Sequence, residues 1–227
     1  MKSSVITFPG SNCDRDMDVA LNKFGFKNKM VWHNDSELPE SDLVVLPGGF
    51  SYGDYLRCGS MAAKSKIMKS VIDFANSGGL VLGICNGFQI LVETGLVPGV
   101  LLRNKYLQFI CKNVFVKLDN KENKYFKNLS KDIFEFHIAH NEGNYFCTYD
   151  QLKEIEDNNQ VAMYYCNNVG KIEDNFNPNG SIKNIAGIFN KKKNVLGMMP
   201  HPERMVDQSL SGEDGSLFFK NLINNIK

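Results

Sequence analysis

Short apolar runs alternate with longer amphipathic stretches over the first hundred residues of the chain. The short runs have the length and composition of strands in a covered sheet, and they lie at 4–8, 29–32, 43–46 and 80–84. Apolar residues at helical spacing predict helices near 19–24 and over 61–76. Alternating strands and helices joined by short turns predict an α/β fold, with a mostly parallel central sheet flanked by helices.

The pattern changes after residue 100, where strand-like runs follow one another with few helices between them. These runs lie at 114–118, 133–138, 161–166, 185–189 and 195–199. We expect this second half to add antiparallel strands to the sheet and to close with a helix over 205–226. The polar stretches 119–132 and 167–184 predict surface loops. Because no repeat or linker separates the halves, we expect one domain over 1–227.

The composition narrows the classes of function. Lys and Arg number 26 against 25 Asp and Glu, so the charge balance gives no sign of nucleic-acid binding. Apolar runs fall short of the ~20 residues of a membrane helix, and the N-terminus lacks the apolar length of a secretion signal. The six cysteines are scattered without a C-x-x-C pair, which argues against a disulfide framework or a zinc site. We therefore expect a cytoplasmic protein that binds neither nucleic acid nor membrane.

Cys85 stands at a switch from strand to helix within LVLGICNGFQI (80–90). An apolar run precedes it, apolar residues at helical spacing follow it, and Gly83 and Gly87 flank it. This pattern is typical of a nucleophile elbow, a sharp turn that presents its central residue. The N-terminus of the following helix directs N–H groups and a positive dipole end at the sulfur, which favours the thiolate. The alternative is an inert buried cysteine that only packs.

Gly48-Gly49 and Cys85 each follow an apolar strand, so we expect both at the carboxyl edge of the sheet, where such folds bind ligands. Two glycines after a strand can offer unobstructed N–H groups to a developing oxyanion. The N–H of Asn86, the residue after the candidate nucleophile, would be the second donor. The alternative for Gly48-Gly49 is an ordinary turn.

His201 and Glu203 supply the remaining parts of a thiol active site, at the end of the last strand-like run. An imidazole can take the proton of a thiol and later deliver it to a leaving amine. A carboxylate can hold that imidazole in one tautomer and orientation. We therefore expect Cys85, His201 and Glu203 to act as nucleophile, base and orienting group.

The other histidines give weaker signals. His33 has no chemical company, and we expect it to serve only as a hydrogen-bonding group. His137 and His140 lie three residues apart in a predicted strand, so they face opposite sides and make a poor metal pair. We expect His140 to line the ligand-binding crevice at the carboxyl edge of the sheet.

Several motifs together resemble one enzyme family. GICNGFQIL (83–91) and the distant GMMPHPER (197–204) are similar to the class I, or triad, glutamine amidotransferases. Within that class, further stretches resemble the glutaminase subunits of phosphoribosylformylglycinamidine synthase, in purine biosynthesis. They are FPGSNCDRD (8–16), LPGGFSYGDYLRCG (46–59), LVPGVLLRN (96–104), AHNEGNY (139–145), NPNGS (177–181) and IAGI (185–188). The resemblance runs the length of the chain and implies the flavodoxin-like fold of this class.

The resemblance also implies a reaction. Cys85 would attack the side-chain amide of glutamine, ammonia would leave, and water would hydrolyse the glutamyl thioester. His201 would serve as base and then acid, oriented by Glu203. The same resemblance assigns the oxyanion hole to the backbone of Gly49 and Asn86, and the glutamine contacts to Phe50 and Gln89.

The resemblance implies partners as well. Ammonia would pass to a separate, large synthetase subunit that makes formylglycinamidine ribonucleotide from formylglycinamide ribonucleotide, and a small bridging subunit would complete the synthase. The chain has no Gly-x-x-x-x-Gly-Lys-Ser/Thr loop. We therefore expect no cofactor in this chain, and ATP and Mg²⁺ in the synthetase. Segments 8–16 and 51–57 are expected to face a partner or to gate the site.

The sequence also allows other functions. One is a class I glutaminase subunit that serves a different synthetase. Another is an elbow cysteine that acts as a redox sensor or a peptidase-like thiol. Such a thiol would need neither Glu203 two residues after His201 nor Gln89 four residues after Cys85. The complete set of triad residues argues against a catalytically silent scaffold.

Overall fold

The computed structural model describes residues 1–209 and 212–226. Its strands are β1 (Lys2–Thr7), β2 (Lys27–Trp32), β3 (Leu43–Leu46), β4 (Leu80–Ile84), β5 (Val100–Leu102), β6 (Ile110–Leu118), β7 (Ile133–His140), β8 (Asn144–Phe146), β9 (Val161–Cys166), β10 (Ile185–Phe189) and β11 (Val195–Met198). Its α-helices are α1 (Asp14–Lys23), α2 (Lys66–Asn76), α3 (Asn86–Glu93), α4 (Tyr149–Asp157) and α5 (Asp214–Ile226). None of these helices has the length and apolar character needed to cross a membrane.

A nine-stranded sheet runs through the molecule in the order β2-β1-β3-β4-β11-β10-β9-β6-β7. The first five strands of that order pair in parallel, and the pairs beyond β11 are antiparallel. The predicted α/β class, a parallel sheet with helices and added antiparallel strands, is confirmed. Within the second half, β11 departs from the antiparallel expectation because it pairs in parallel with β4.

The centre of the sheet is buried throughout. Every residue of β3, β4, β10 and β11 is buried, as expected of apolar strands covered on both faces. Helix α3 packs against β3, β4 and β11. In the β4–β11 pair, Gly83 lies opposite Gly197 and Ile84 opposite Met198. The carboxyl ends of these two strands therefore lie side by side, and the residues that follow them start from neighbouring positions.

The Asn- and Lys-rich stretch 119–132 is only partly a surface loop. Tyr125 and Phe126 within it are fully buried. The Tyr125 hydroxyl lies 2.7 Å from the carbonyl oxygen of Val81 and 2.9 Å from that of Asn194. The prediction of an exposed loop is wrong for these two residues, because their rings complete the core and the buried hydroxyl finds carbonyl acceptors.

Three helices also differ from the prediction, and α2 is one of them, because it begins at Lys66 rather than at residue 61. The apolar pattern does not predict α4, because only Leu152 and Ile155 of this helix are buried. A capping box starts it instead: Thr148 Oγ1 accepts from the Gln151 N–H, and Gln151 Oε1 accepts from the Thr148 N–H.

Helix α5 begins at Asp214 rather than at residue 205. The Asp207 side chain accepts the Ser209 N–H at 2.9 Å, a local bond that competes with helix formation. Residues 210 and 211 of the predicted helix lie outside the described residues.

Candidate active site

Cys85 lies between the end of β4 and the start of α3, as the elbow pattern predicts. Its backbone has φ 50° and ψ −104°, a conformation that residues other than glycine rarely adopt. The Cys85 N–H donates to the Met198 carbonyl at 2.8 Å, and its thiol donates to the Ala139 carbonyl at 3.6 Å. The candidate nucleophile is thus held between the end of β11 and the end of β7.

His201 and Glu203 form a buried hydrogen-bonded pair. The His201 Nδ1 lies 2.6 Å from Glu203 Oε1, and both side chains are almost fully buried. Pro202 between them opens a short 3-10 turn, Pro202–Arg204, that brings the carboxylate back to the imidazole. The His201 N–H donates to the His137 carbonyl at 2.8 Å, which fixes the backbone of the candidate base against β7.

The imidazole of His201 favours its protonated form. Burial lowers its pKa, but the neighbouring Glu203 carboxylate and the Cys85 and Cys13 thiols raise it. The raising contributions prevail, so the pKa of His201 lies well above its ordinary value. The Nε2 atom is buried and has no hydrogen-bond partner among the described residues. Because Glu203 occupies Nδ1, the free Nε2 is the atom that can exchange a proton with the nearby Cys85 thiol.

Gly49 lies where only glycine fits. Its φ is +149°, and an added Cβ would lie 2.8 Å from the Asn12 nitrogen. Next to Gly49, the Phe50 N–H donates to the Gly10 carbonyl, in the turn after β1, at 3.0 Å. This hydrogen bond does not involve the Gly49 N–H, and the Phe50 ring is exposed. The oxyanion role of Gly49 and the glutamine contact of Phe50 stay predictions.

The side-chain amides of Asn86 and Gln89 hydrogen-bond to each other and to neighbouring loops. Asn86 Nδ2 donates to Gln89 Oε1 at 2.8 Å, and Asn86 Oδ1 accepts the Ser51 N–H at 3.2 Å. Gln89 Nε2 donates to the Glu142 carbonyl at 2.7 Å. Gln89 therefore ties α3 to the loop that follows β7. The contact with glutamine, and the oxyanion role of the Asn86 N–H, stay predictions.

His140 braces the loop beside the thiol. It is buried, and its Nδ1 lies 3.0 Å from Asn104 Oδ1, which also accepts the Gly143 N–H at 3.1 Å. Because an amide oxygen only accepts, Nδ1 carries the proton. Burial lowers the pKa of His140 to about 4, so the ring is neutral at neutral pH. Asn179 of the NPNGS motif donates to the Gly143 carbonyl at 2.8 Å and holds the same loop.

The remaining histidines agree with their expected placement. His33 pairs through Nδ1 with the Tyr52 hydroxyl at 2.7 Å, in keeping with a hydrogen-bonding role. His137 and His140 alternate between half-buried and buried along β7, so they face opposite sides of the sheet.

Cys13 and Arg204 join the site although no pattern in the sequence predicts a role for them. Cys13 is buried, and its sulfur accepts a hydrogen bond from Arg204 Nη2 at 3.1 Å. Arg204 Nε in turn lies 3.3 Å from Asp16 Oδ2. The available signal was position: Cys13 follows β1 and thus lies at the carboxyl edge that carries Cys85.

Cys13, His201 and Glu203 are also the three side chains that could hold a metal ion within the described ranges, because their donor atoms lie within 4.8 Å of one another. The Arg204 guanidinium on the same sulfur places a positive charge against any cation there. Glu203 is already engaged by the imidazole. The donor set therefore favours the hydrogen-bonded arrangement over a metal site.

The comparisons with known proteins assign this geometry to a family. The family model of the CobB/CobQ-like glutamine amidotransferase domain matches residues 1–213. The chain belongs to this family. This glutamine amidotransferase is 77% identical to phosphoribosylformylglycinamidine synthase subunit PurQ of Pelagibacter ubique (strain HTCC1062), over 227 residues and 100% of both chains.

Solved structures agree with this assignment. The amidotransferase superposes on a chain of PurLQS from Thermotoga maritima with a TM-score of 0.87 and 40% identity, covering 100% of this chain and 99% of that one. Another glutamine amidotransferase from Thermotoga maritima shares the fold, with a TM-score of 0.65 and 15% identity over 100% of this chain and 98% of that one.

Proposed function

We propose that this amidotransferase is the glutaminase subunit of a phosphoribosylformylglycinamidine synthase. It hydrolyses glutamine to glutamate and ammonia, and a separate synthetase subunit uses the ammonia and ATP to turn formylglycinamide ribonucleotide into formylglycinamidine ribonucleotide. The observation that carries the proposal is the 77% identity to a PurQ subunit over the full length of both chains. The buried His201–Glu203 pair beside the elbow cysteine supports the chemistry.

The first step forms a bond between sulfur and carbon. The proton of the Cys85 thiol moves to Nε2 of His201, which forms the imidazolium that the raised pKa favours, and the sulfur attacks the side-chain carbonyl carbon of glutamine. The electron pair of the carbonyl moves to its oxygen. The N–H groups of Gly49 and Asn86 are the donors that we assign to this oxyanion, where charge develops in the transition state.

The second step releases ammonia, and the third restores the enzyme. When the carbonyl re-forms, the carbon–nitrogen bond breaks and the His201 imidazolium protonates the leaving nitrogen, which departs as ammonia. Water then gives a proton to His201 and attacks the thioester. Cys85 leaves with the returned proton, and glutamate is released, so that one water is consumed for each amide bond broken.

Glu203 acts through the imidazole. Its carboxylate keeps the proton on Nδ1 and raises the pKa of His201, which stabilises the imidazolium that forms in both half-reactions. Because the pair is buried, water screens this attraction weakly.

Two partners complete the proposal, a large synthetase and a small bridging protein, and ATP and Mg²⁺ are assigned to the synthetase. Of the two segments expected to face a partner, 51–57 fits best, because Tyr55 and Leu56 are strongly exposed there. The segment 8–16 instead directs Cys13 into the site.

Cellular location and domain organisation are part of the same proposal. All six cysteines are free, five of them buried, which suits the reducing cytoplasm. We also propose one domain over 1–227, because a hydrophobic cluster of the described residues includes residues of both halves.

The experiment replaces Cys85→Ala in the chain assembled with its synthetase and bridging subunits. We expect glutamine-dependent synthesis and glutamate release to disappear, while synthesis from added ammonium salts continues. Cys166→Ala is the matched control, because Cys166 is 4% exposed and Cys85 5% exposed. Unchanged glutamine turnover in Cys85→Ala would reject the proposal.

Two further results would favour the other functions. Stimulation of glutamate release only by a different synthetase would move the chain to another pathway. Labelling of Cys85 by a glutamine-like electrophile that glutamine does not suppress would favour a redox or peptidase-like thiol.

A further inference from the structure

The Cys13 thiol and the His201 imidazole both lie beside the backbone of Gly48. Cys13 precedes α1, and its N–H donates to the Gly48 carbonyl at 3.2 Å. A Cβ added to Gly48 would lie 2.6 Å from His201 Cε1 and 3.1 Å from Cys13 Sγ. The thiol and the imidazole therefore flank the same spot over Gly48, which is free of side chain.

The sulfur is fixed by partners on its other sides. Cys13 Sγ donates to Asn12 Oδ1 at 3.3 Å and accepts from Arg204 Nη2 at 3.1 Å. Asp16 lies 3.3 Å from Arg204 Nε and holds the guanidinium. With its proton directed at Asn12 and one lone pair taken by Arg204, the sulfur has one lone pair left for the His201 ring, whose Cε1 and Nδ1 atoms lie nearest the same spot over Gly48.

We propose that Cys13 is a positioning residue for the general base, whose thiol holds the His201 ring so that Nε2 faces Cys85. The inference rests on the proposed glutaminase function only in taking His201 as the base. It places a second electron-rich atom, the Cys13 sulfur, beside the ring in addition to the Glu203 carboxylate. The segment between β1 and α1 then contacts the site twice. Cys13 lies beside His201, and the Gly10 carbonyl accepts the Phe50 N–H next to Gly49.

Charge distribution supports this role. A sulfur lone pair next to the ring favours the imidazolium, and the Cys13 thiol raises the pKa of His201. Burial raises the pKa of Cys13 itself, so this second sulfur stays a thiol and does not compete as a nucleophile. The other titratable groups that act on His201 or respond to it are Cys85, Glu203, His137 and His140, and Arg204 adds a fixed positive charge.

The test measures the reactivity of Cys85 in the isolated full-length chain and needs no synthetase. Iodoacetamide alkylation of Cys85 is followed by peptide mass spectrometry at about pH 7 and about pH 10. In general, a cysteine thiolate forms at alkaline pH without a cationic neighbour, whereas near neutrality its formation is promoted by a neighbouring imidazolium. A change in access to the thiol scales both rates equally, so the ratio of the two rates isolates the state of the base.

We expect Cys13→Ala to lower this neutral-to-alkaline ratio by about fivefold, the effect of losing one hydrogen bond of ordinary strength. Cys13→Ser, which keeps an acceptor at the position, should restore most of it. Cys147→Ala is the matched control, because Cys147 and Cys13 are both 3% exposed, and it should leave the ratio unchanged.

An unchanged ratio in Cys13→Ala would overturn the inference, whether or not the variant is less stable. If Cys13→Ala does not fold, the inference requires a ratio for Cys13→Ser close to that of the natural chain, and a fivefold fall there would overturn it. Loss of glutamine hydrolysis in Cys85→Ala together with an unaltered ratio in Cys13→Ala would keep the proposed function and remove only the role of Cys13.

Discussion

The Nδ1 atom of His201 lies 2.6 Å from Glu203 Oε1, with both side chains buried beneath the carboxyl edge of the sheet. The pair is set by local chain geometry, because Pro202 starts the turn that returns the carboxylate to the ring. The pair also sets the tautomer, because it assigns a proton to Nδ1, and Nε2 has no hydrogen-bond partner among the described residues.

Glu203→Gln should keep the shape of this pair and remove its charge. The imidazole would lose the carboxylate that raises its pKa, and the amide could present its NH₂ group to Nδ1 and favour the wrong tautomer. We expect kcat for glutamine hydrolysis in the assembled synthase to fall by about 10²- to 10⁴-fold. Glu37→Gln, at an exposed position, is the control. A fall of less than about threefold in Glu203→Gln would contradict the role of the carboxylate.

His140 should make the fold sensitive to mild acid. Its pKa falls from the ordinary 6.5 to about 4 because the ring is buried. Between these two values the unfolded chain is protonated at His140 and the folded chain is not. The stability due to the neutral ring is fully present above pH 6.5 and is lost as the pH falls towards 4. Urea unfolding should show a loss of about 2 kcal/mol from this group between about pH 7.5 and about pH 5. In His140→Gln the loss should shrink by that amount, and an identical pH dependence would refute the assignment.

Gly49→Ala should damage the site more than the fold. A side chain there would lie 2.8 Å from the Asn12 nitrogen at a φ of +149°, so the segment must shift and carry the candidate oxyanion donor with it. We expect glutamine hydrolysis to fall by about 10²-fold, as when one oxyanion donor is lost. Gly78→Ala is a strained control at φ +92° with open space around it, and it should cost about 1 kcal/mol of stability without lowering kcat. Equal kcat values in the two variants would count against the oxyanion role of Gly49.

Asn104→Ala should loosen the loop after β7. This fully buried side chain contacts the Gln108 carbonyl, the His140 carbonyl and ring, and the Gly143 N–H. Its removal leaves several buried groups unpaired, so we expect a loss of about 2–3 kcal/mol in urea unfolding and a severalfold rise in KM for glutamine. Asn113→Ala removes an exposed amide with one bond to Glu135 and should cost about 0.5 kcal/mol or less. If the two variants unfold at the same urea concentration, Asn104 does not brace the loop.

The elements that the sequence predicts well are those whose burial is uniform. Strands β3 and β4 coincide with the predicted runs at 43–46 and 80–84, because a strand covered on both faces must be apolar throughout. The turn at Cys85 is predicted equally well, because Gly83 and Gly87 on either side of it pack too closely against their neighbours to carry a side chain. The stretch around Cys85 is one of the two motifs behind the triad hypothesis, and GMMPHPER (197–204) is the other.

The features that the sequence does not reveal depend on contacts between distant segments. The polar composition around Tyr125 predicts a loop, yet its ring fills the core and its hydroxyl bonds to β4. Cys13 looks like one of six scattered cysteines until folding brings Arg204 to its sulfur. Propensity and periodicity describe a chain's own neighbourhood and carry no information about which far residue will supply a partner.

The position of β11 has a consequence for biosynthesis. This strand lies between β4 and β10, and the proposed base His201 and its carboxylate Glu203 follow it, more than a hundred residues after Cys85 in the sequence. A chain emerging from the ribosome therefore holds Cys85 long before it holds His201, and a product truncated before β11 would lack the proposed base and its carboxylate. On the proposed mechanism, the order of translation itself would keep truncated chains from releasing ammonia.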